Sequence, residues 1–520
     1  MGTEFTRRNF MKGAGAAAGV MIATGFSPFS YAQNEKVRLG VIGTGGQGNI
    51  HIRGGLAGTP DVIIIATCDI YEPHQRAGQF YAWSSNAKLV DFDGWNEPDK
   101  IPAAQKALIK AAHKPTAYYE YKEMLEKEQL DAVLIATPLD THYQITMDCL
   151  DADKFVFCEK TMCYTIEMAR NVVQKAHEKG KFVQVGHQRR YNPEYNLAME
   201  MARKGDIGRI NHIDMQWHRN NNWRRAVDED FWAKMPEDQR QRILQYSESF
   251  EHHMNWRIYK EKSLGLCTEL LPHQADISNW FMGKMPARLY GTGGLDYWRD
   301  GRTTEDNISV VMEYELKPGV DKAWQSLSPR SAYQDKVKIN KGYTVRVVYS
   351  SIMANAKRGA SETIMGDNGA LELTETAGCF LTREPHALPK ALPKAAAAAP
   401  GAAPEAKPEQ KDEKKDSAQT QADAVTSGGT QSYGGKIEPE RLVAQGMELT
   451  PHMYQFRSFT HHIKNGGKPR TNEMCGLSTT IMSTLAYQAI HEGKVIEIDP
   501  NLMKFDFETP DWTEYGPVTA

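Results

Sequence analysis

The clearest chemistry in this chain lies in Gly43-Thr44-Gly45-Gly46-Gln47-Gly48, a G-x-G-x-x-G run placed directly after an apolar strand pattern and opening a helical one. Such a loop can cradle a pyrophosphate. Gly43 allows a tight turn, Gly45 lets the backbone approach phosphate, and Gly48 allows close helix–strand packing. With Gly46 and Gln47 between them, the helix N-terminus offers unpaired N–H groups to an anion. Asp69 lies 21 residues beyond Gly48, at the end of a second apolar run, where a carboxylate can accept from a ribose 2′-hydroxyl. A 2′-phosphate there meets like charge, so NAD is the expected cofactor and NADP, with Arg76 nearby, the less favoured one. A glycine turn without a ligand is the competing reading. Two further segments have the composition of a sugar site. Gly186-His187-Gln188-Arg189-Arg190-Tyr191-Asn192-Pro193 follows a strand pattern, and Trp217-His218-Arg219-Asn220-Asn221-Asn222-Trp223-Arg224 mixes aromatic faces with amide donors. A pyranose presents apolar C–H patches ringed by hydroxyls, which need that mixture. A polar loop with two packed tryptophans is the alternative.

The elements that must position these residues follow from periodicity. Short, almost continuously apolar runs at 37–42, 62–67, 130–136 and 154–158 alternate with helical patterns at 103–112 and 121–128, which predicts a doubly wound parallel sheet. A long helical pattern over 165–179 leads into longer β-branched and aromatic strands at 210–218, 308–315, 343–353 and 370–374. Few helices intervene, so a largely antiparallel sheet is expected there. The fold class is therefore α/β, a Rossmann domain over 33–162 followed by an α+β substrate domain over 163–384. Residues 385–436, rich in Ala, Pro, Lys, Glu, Gln and Ser, lack the apolar content to fold and read as a disordered insertion. The stretch 437–520, with helical patterns at 453–464 and 477–492, is expected to complete the second domain.

Bulk properties exclude several classes. Lys+Arg 62 against Asp+Glu 65 leaves a formal charge of −3, without the basic excess a nucleic-acid or anionic-membrane partner requires. Seven cysteines, an odd number with Cys68 and Cys158 inside apolar runs, read as buried small hydrophobes. No C-x-x-C pair or zinc-like spacing occurs, so no metal is expected, and the His252-His253 and His461-His462 doublets read as packing residues. Residues 1–32 read as an address. Thr6-Arg7-Arg8-Asn9-Phe10-Met11-Lys12 matches the twin-arginine export pattern, followed by a Gly/Ala-rich apolar stretch and the small-x-Ala site Ser30-Tyr31-Ala32. A periplasmic or other extracytoplasmic protein, soluble once mature, is the expectation, with a short membrane anchor as the alternative. An exported compartment offers little free dinucleotide, so the cofactor is expected to travel tightly held.

Three further segments resemble one family. Ala136-Thr137-Pro138-Leu139-Asp140-Thr141-His142 resembles the "ATP-x-x-x-H" turn of the Gfo/Idh/MocA oxidoreductases, and Phe157-Cys158-Glu159-Lys160-Thr161 their "cEKP" motif with threonine for proline. Glu269-Leu270-Leu271-Pro272-His273-Gln274-Ala275-Asp276 resembles their D-x-x-x-H-x-x-D element with glutamate first. The resemblance implies cofactor contacts from Thr137, Pro138, His142, Glu159 and Lys160. It also implies that Lys160 and His273 flank the nicotinamide and the substrate carbinol. There His273 would take the proton and Lys160 would stabilise the developing alkoxide. Glu269, one helical turn before His273, would fix its tautomer, and Asp276 would join Gln188, Arg189, Tyr191, Trp217, His218, Asn220 and Trp223 around the substrate. The implied activity is hydride transfer between a sugar, glycoside or cyclic polyol and a nicotinamide, in a homo-oligomer formed through the second-domain sheet. An NAD-dependent glycosidase or lyase working through a transient ketosugar is the alternative.

Overall fold

A computed structural model of the chain describes residues 35–317, 342–374, 378–384 and 439–513. The export signal and the low-complexity insertion read from the sequence lie outside the described residues. The apolar runs become β1 (Val37–Ile42), β2 (Val62–Cys68), β4 (Ala132–Ile135) and β5 (Phe155–Cys158), joined by β3 (Thr116–Tyr118) and β6 (Val183–Val185). All six lie parallel in the order β3-β2-β1-β4-β5-β6. Every residue of β4 is buried, as expected where helices cover both faces of a parallel sheet. The chain reverses direction across the sheet between β1 and β4. The crevice outside their carboxyl ends is where this architecture binds ligands.

β7 (Ile210–His218) begins a nine-stranded sheet with β8 (Arg288–Gly294), β9 (Asn307–Leu316), β10 (Tyr343–Ile352), β11 (Ala360–Gly366), β12 (Gly369–Thr374), β13 (Gly378–Arg383), β14 (Glu440–Leu442) and β15 (Ile496–Glu497). Its order is β14-β13-β12-β11-β7-β10-β9-β8-β15, and every pairing is antiparallel except β7 with β10. Helices packed against it include Leu271–Met282, buried along its whole length, Glu473–Glu492 and Pro193–Lys204. All seven cysteines are free and buried. No helix among the described residues is long and apolar enough to cross a membrane.

Two domain boundaries differ from the sequence reading. β6 pairs with β5, so the first sheet runs to Val185 rather than ending before residue 163. The 437–520 stretch does not serve the second domain alone. Phe456, Phe459 and Ile463 of the Pro451–Asn465 helix are buried in one cluster with Val37, Leu39, Val41 and Phe157 of the first sheet. The apolar face of that helix finds its β1 partners more than 400 residues upstream, a pairing that local periodicity cannot reveal.

Candidate functional site

The glycine loop is built by close approach. Gly43 sits at φ +85°, and a Cβ on it would fall 2.6 Å from the Ala136 carbonyl oxygen. A Cβ on Gly48 would fall 2.0 Å from the Gly43 carbonyl oxygen, so only glycine lets this helix start against β1. Gly45 and Gly46 differ. A Cβ there would meet only the His74 ring at 3.5 Å and the Arg225 guanidinium at 3.8 Å, both ordinary contacts. The protein's own packing leaves that space, and both glycines line a cleft of about 340 Å3.

That cleft is lined by the glycine loop with Gln47, by Asp69, by the turn Thr137–His142, and by Glu159 and Lys160. Asp69 follows β2 as expected, and its carboxylate also braces the loop, accepting from the Thr44 amide at 2.8 Å and the Tyr71 amide at 2.9 Å. Burial raises its pKa, and His74 with those two amides works against the rise. Pro138 caps the helix Leu139–Asp151, and Thr137 shares a 2.8 Å hydroxyl contact with Thr141. Arg76 ion-pairs Glu72 at 3.8 Å and is not among the lining residues.

His142 and Glu159 border the cleft, and most of what each does is structural. His142 is 2% exposed, and its ring nitrogens meet the carbonyl oxygens of Thr161 at 2.9 Å and Thr137 at 3.0 Å. It therefore struts together the loops after β5 and β4. Burial disfavours its charge, but Cys158 and the two carbonyls outweigh that and raise its pKa to about 9. Glu159 accepts from His51 at 2.5 Å and from the Lys160 amide at 3.0 Å. Burial pushes its pKa up, while His51 and Lys160 more than offset this and hold it at about 2. His51, fully buried, is a residue that sequence reasoning missed. The one sequence cue was a histidine three residues past Gly48, on a helix that must face the sheet.

Beyond the nucleotide cleft stands His273 on the first turn of the Leu271–Met282 helix, 6% exposed and with no hydrogen-bond partner at Nδ1. Burial first, then repulsion from Lys160, Arg189, His187 and Arg219, holds its pKa well below 6.5, so the imidazole is neutral. Its position at a helix N-terminus acts in the same direction. The Trp217 ring packs against it with centroids 4.9 Å apart, and the guanidinium groups of Arg189 and Arg219 each lie 4.9 Å from the same indole. Lys160 Nζ donates to the Glu269 carbonyl at 3.0 Å, and Thr161 Oγ1 to the Thr268 carbonyl at 2.8 Å. Two consecutive side chains thus tie the loop after β5 to the segment leading into His273. Threonine anchors this loop where the related motif has proline; the Lys160–Thr161 peptide bond is cis.

Several expected roles are corrected. Glu269 does not orient His273. Its helix, Leu266–Glu269, ends before the Leu271–Met282 helix begins, so the spacing of four is not one continuous turn. Its carboxylate instead accepts from Arg257 Nε at 2.9 Å and Ser263 Oγ at 3.0 Å. Asp276, 1% exposed, is not a substrate ligand; it forms a two-pronged ion pair with Arg190 at 2.9 and 2.7 Å. Tyr191 is 1% exposed, and its hydroxyl contacts Thr471 at 3.3 Å. His218, next to Trp217 on a strand, points to the opposite sheet face and meets Ser350 at 2.9 Å. Asn220 is exposed and bridges to Ala354; Trp223 is half-buried at φ +60°. Gln188 is half-buried beside Arg189, which ion-pairs with Glu362. The structure thus gathers Lys160, His273, Trp217 and Arg189, and disperses Asp276, Tyr191 and His218. Among the described residues, no group of three or more His, Cys, Asp or Glu side chains could hold a metal ion.

Comparison with known proteins agrees with this geometry. Residues 37–187 match the sequence profile of an oxidoreductase family with an NAD-binding Rossmann fold, and residues 195–320 match the GFO/IDH/MocA C-terminal domain. An inositol 2-dehydrogenase of Rubrobacter xylanophilus is 30% identical over 36% of this chain and 45% of its own length. A glycosyl hydrolase family 109 protein of Shewanella baltica is 23% identical over 42% of this chain and 50% of its own. The matches span less than half the length of the first of these relatives. The crystal structure of aldose-aldose oxidoreductase from Caulobacter crescentus superposes with a TM-score of 0.55 at 14% identity, covering 89% of this chain and 100% of that one, which is a likeness of fold. The two matching profiles together cover more than half of the sequence, and the chain belongs to the Gfo/Idh/MocA oxidoreductase family.

Proposed function

We propose that this protein is an NAD-dependent oxidoreductase that transfers a hydride between the nicotinamide and a carbinol of a sugar, glycoside or cyclic polyol. One observation carries the reading. A glycine-loop cleft ends at Lys160, and beside it stands a buried, neutral His273 with an unpartnered Nδ1 and an indole against its ring.

The residues fit a dinucleotide. Gly45 and Gly46 leave the space a pyrophosphate needs, and Asp69, which also lines the cleft, would accept from a ribose hydroxyl. When bound, the nicotinamide would accept the hydride. The chain supplies the rest. His273 is neutral and can take the hydroxyl proton at a ring nitrogen. The Lys160 ammonium, held by the Glu269 carbonyl, stabilises the negative charge that then builds on oxygen. Trp217 offers an apolar face to sugar C–H groups.

Preference for NAD over NADP rests on Asp69 and on Arg76 being engaged outside the cleft. NADH is expected to bind at least about tenfold tighter than NADPH, since a 2′-phosphate would lie against a carboxylate. Asp69→Ala should narrow that gap while weakening both, because the carboxylate also braces the glycine loop. Equal affinities in the unaltered protein would refute the preference.

A second reading, an NAD-dependent glycosidase or lyase with no net oxidation, is favoured by the likeness to the glycosyl hydrolase family 109 protein. Incubating the protein with a panel of glycosides and polyols and identifying products by mass spectrometry separates the two. A ketosugar or lactone supports the first reading, a released aglycone the second. The reading also includes twin-arginine export to the periplasm, resting on Thr6–Lys12, and assembly through the nine-stranded sheet, where half-exposed Val311 pairs with half-exposed Val348.

A further inference from the structure

The nucleotide cleft is roofed by the second domain. Arg225, Tyr246, Arg257 and Lys262 line it together with the glycine loop. Several contacts dock this roof on the first domain, among them two next to residues that line the cleft. Tyr71, two residues beyond Asp69, is buried in an apolar cluster with Met235, Ile243 and Phe250. Lys262 Nζ donates to Asp140 and to the Tyr246 carbonyl, both at 2.6 Å. Roof and floor therefore meet beside Asp69 and at the Thr137–His142 turn, both of which line the cleft.

Within this roof Arg225 stands apart from its neighbours. Arg224 ion-pairs with Glu251 and Asp300, Arg302 with Asp300, and Arg257 with Glu269. Arg225 forms no ion pair among the described residues, and the carboxylates lining the cleft are engaged elsewhere: Asp69 by the Thr44 and Tyr71 amides, Asp140 by Lys262, Glu159 by His51, Glu269 by Arg257. Its main chain, in contrast, is fixed. Asn255, 2% exposed, accepts from the Arg225 amide at 2.7 Å and donates to its carbonyl at 3.1 Å. A backbone held at both its N–H and C=O thus presents an unpaired guanidinium 3.8 Å from where a Cβ of Gly46, the first residue of the loop's helix, would stand.

Resting on the dinucleotide reading above, we propose that Arg225 is a pyrophosphate-binding residue supplied by the second domain, closing on the phosphates from the side opposite the glycine loop and holding the cofactor through turnover. The chemistry suits it. A guanidinium makes charge-assisted, two-pronged hydrogen bonds to phosphate oxygens, and a cation without a protein anion loses no partner when it takes one. The helix N-terminus supplies N–H groups on one face of the pyrophosphate and Arg225 neutralises the other.

The test is equilibrium and stopped-flow binding of NADH, ADP-ribose and adenosine to the full chain and to Arg225→Gln and Arg225→Lys, with melting temperature as the folding control. Arg225→Gln should weaken NADH and ADP-ribose by at least about tenfold and speed NADH release similarly, a common scale for losing a charge-assisted phosphate contact. Adenosine, which has no phosphate, should bind all three proteins alike, and Arg225→Lys should keep part of the affinity. NADH binding by Arg225→Gln within about twofold of the unaltered protein would overturn the assignment, as would an equal loss for adenosine. If the unaltered chain binds neither NADH nor ADP-ribose, the dinucleotide reading itself fails and Arg225 with it.

Discussion

Lys160→Ala and His273→Ala are each expected to lower kcat/KM by at least about a hundredfold, the usual scale for losing a positioned base or an alkoxide-stabilising donor. NADH affinity should change little for His273→Ala, because His273 is not among the residues lining the nucleotide cleft. The pH profile adds a sign. Proton abstraction needs neutral imidazole, and the His273 pKa lies well below 6.5, pushed there by burial and then by the cations around it. Activity that depends on it should therefore be lost only as pH falls well below that value. An acidic limb centred at or above 6.5, or either variant keeping most of its rate, would refute the assigned roles.

Asp276→Ala should act on stability, where the sequence resemblance alone points to substrate. Asp276 and Arg190 are an ion pair with both side chains essentially inaccessible, at 1% and 0% exposure. Removing the carboxylate leaves a buried guanidinium whose remaining partners include the Trp512 carbonyl at 2.6 Å. Breaking such a pair costs about 3–5 kcal/mol, which for a chain of this length corresponds to a fall in Tm of roughly 3–5 °C. Replacing both members, as Arg190→Met with Asp276→Leu, should recover part of that loss. Calorimetry of the unaltered protein and the two variants checks this. A stable Asp276→Ala protein with a raised KM would return Asp276 to the substrate site.

How legible these sites were follows from how local their causes are. The glycine loop could be read because its requirements are local. A positive φ at Gly43 and a Cβ-excluding contact at Gly48 admit almost no other residue, and both follow a strand whose apolar run is unmistakable. That the first sheet is parallel and the second largely antiparallel followed from strand length and spacing in the same way, while the strand order and the parallel pairing of β7 with β10 did not. Side-chain roles at His273 were less visible. Reading Glu269 as its orienter assumed one continuous helix, and the structure breaks it at Leu270, where the carbonyls of 268 and 269 are bonded by Thr161 and Lys160, more than 100 residues away in sequence. Arg190 and Asp276 are 86 residues apart and His51 and Glu159 108 apart, so no spacing rule joins them. Arg225 was invisible for a further reason. Its neighbour Arg224 has the same chemistry, and only the structure separates the saturated guanidinium from the unpaired one.

The central claim is hydride transfer to a nicotinamide held beside Lys160 and His273, and a single-turnover experiment reads it directly. Protein loaded with NAD is mixed with a carbinol-deuterated polyol or glycoside identified from the substrate panel, and the near-ultraviolet band of reduced nicotinamide is followed. The account predicts that the band appears, that deuterium moves from the carbinol carbon to the nicotinamide by mass spectrometry, and that His273→Ala slows both together. Product formation with no deuterium ever found on the nicotinamide would contradict it.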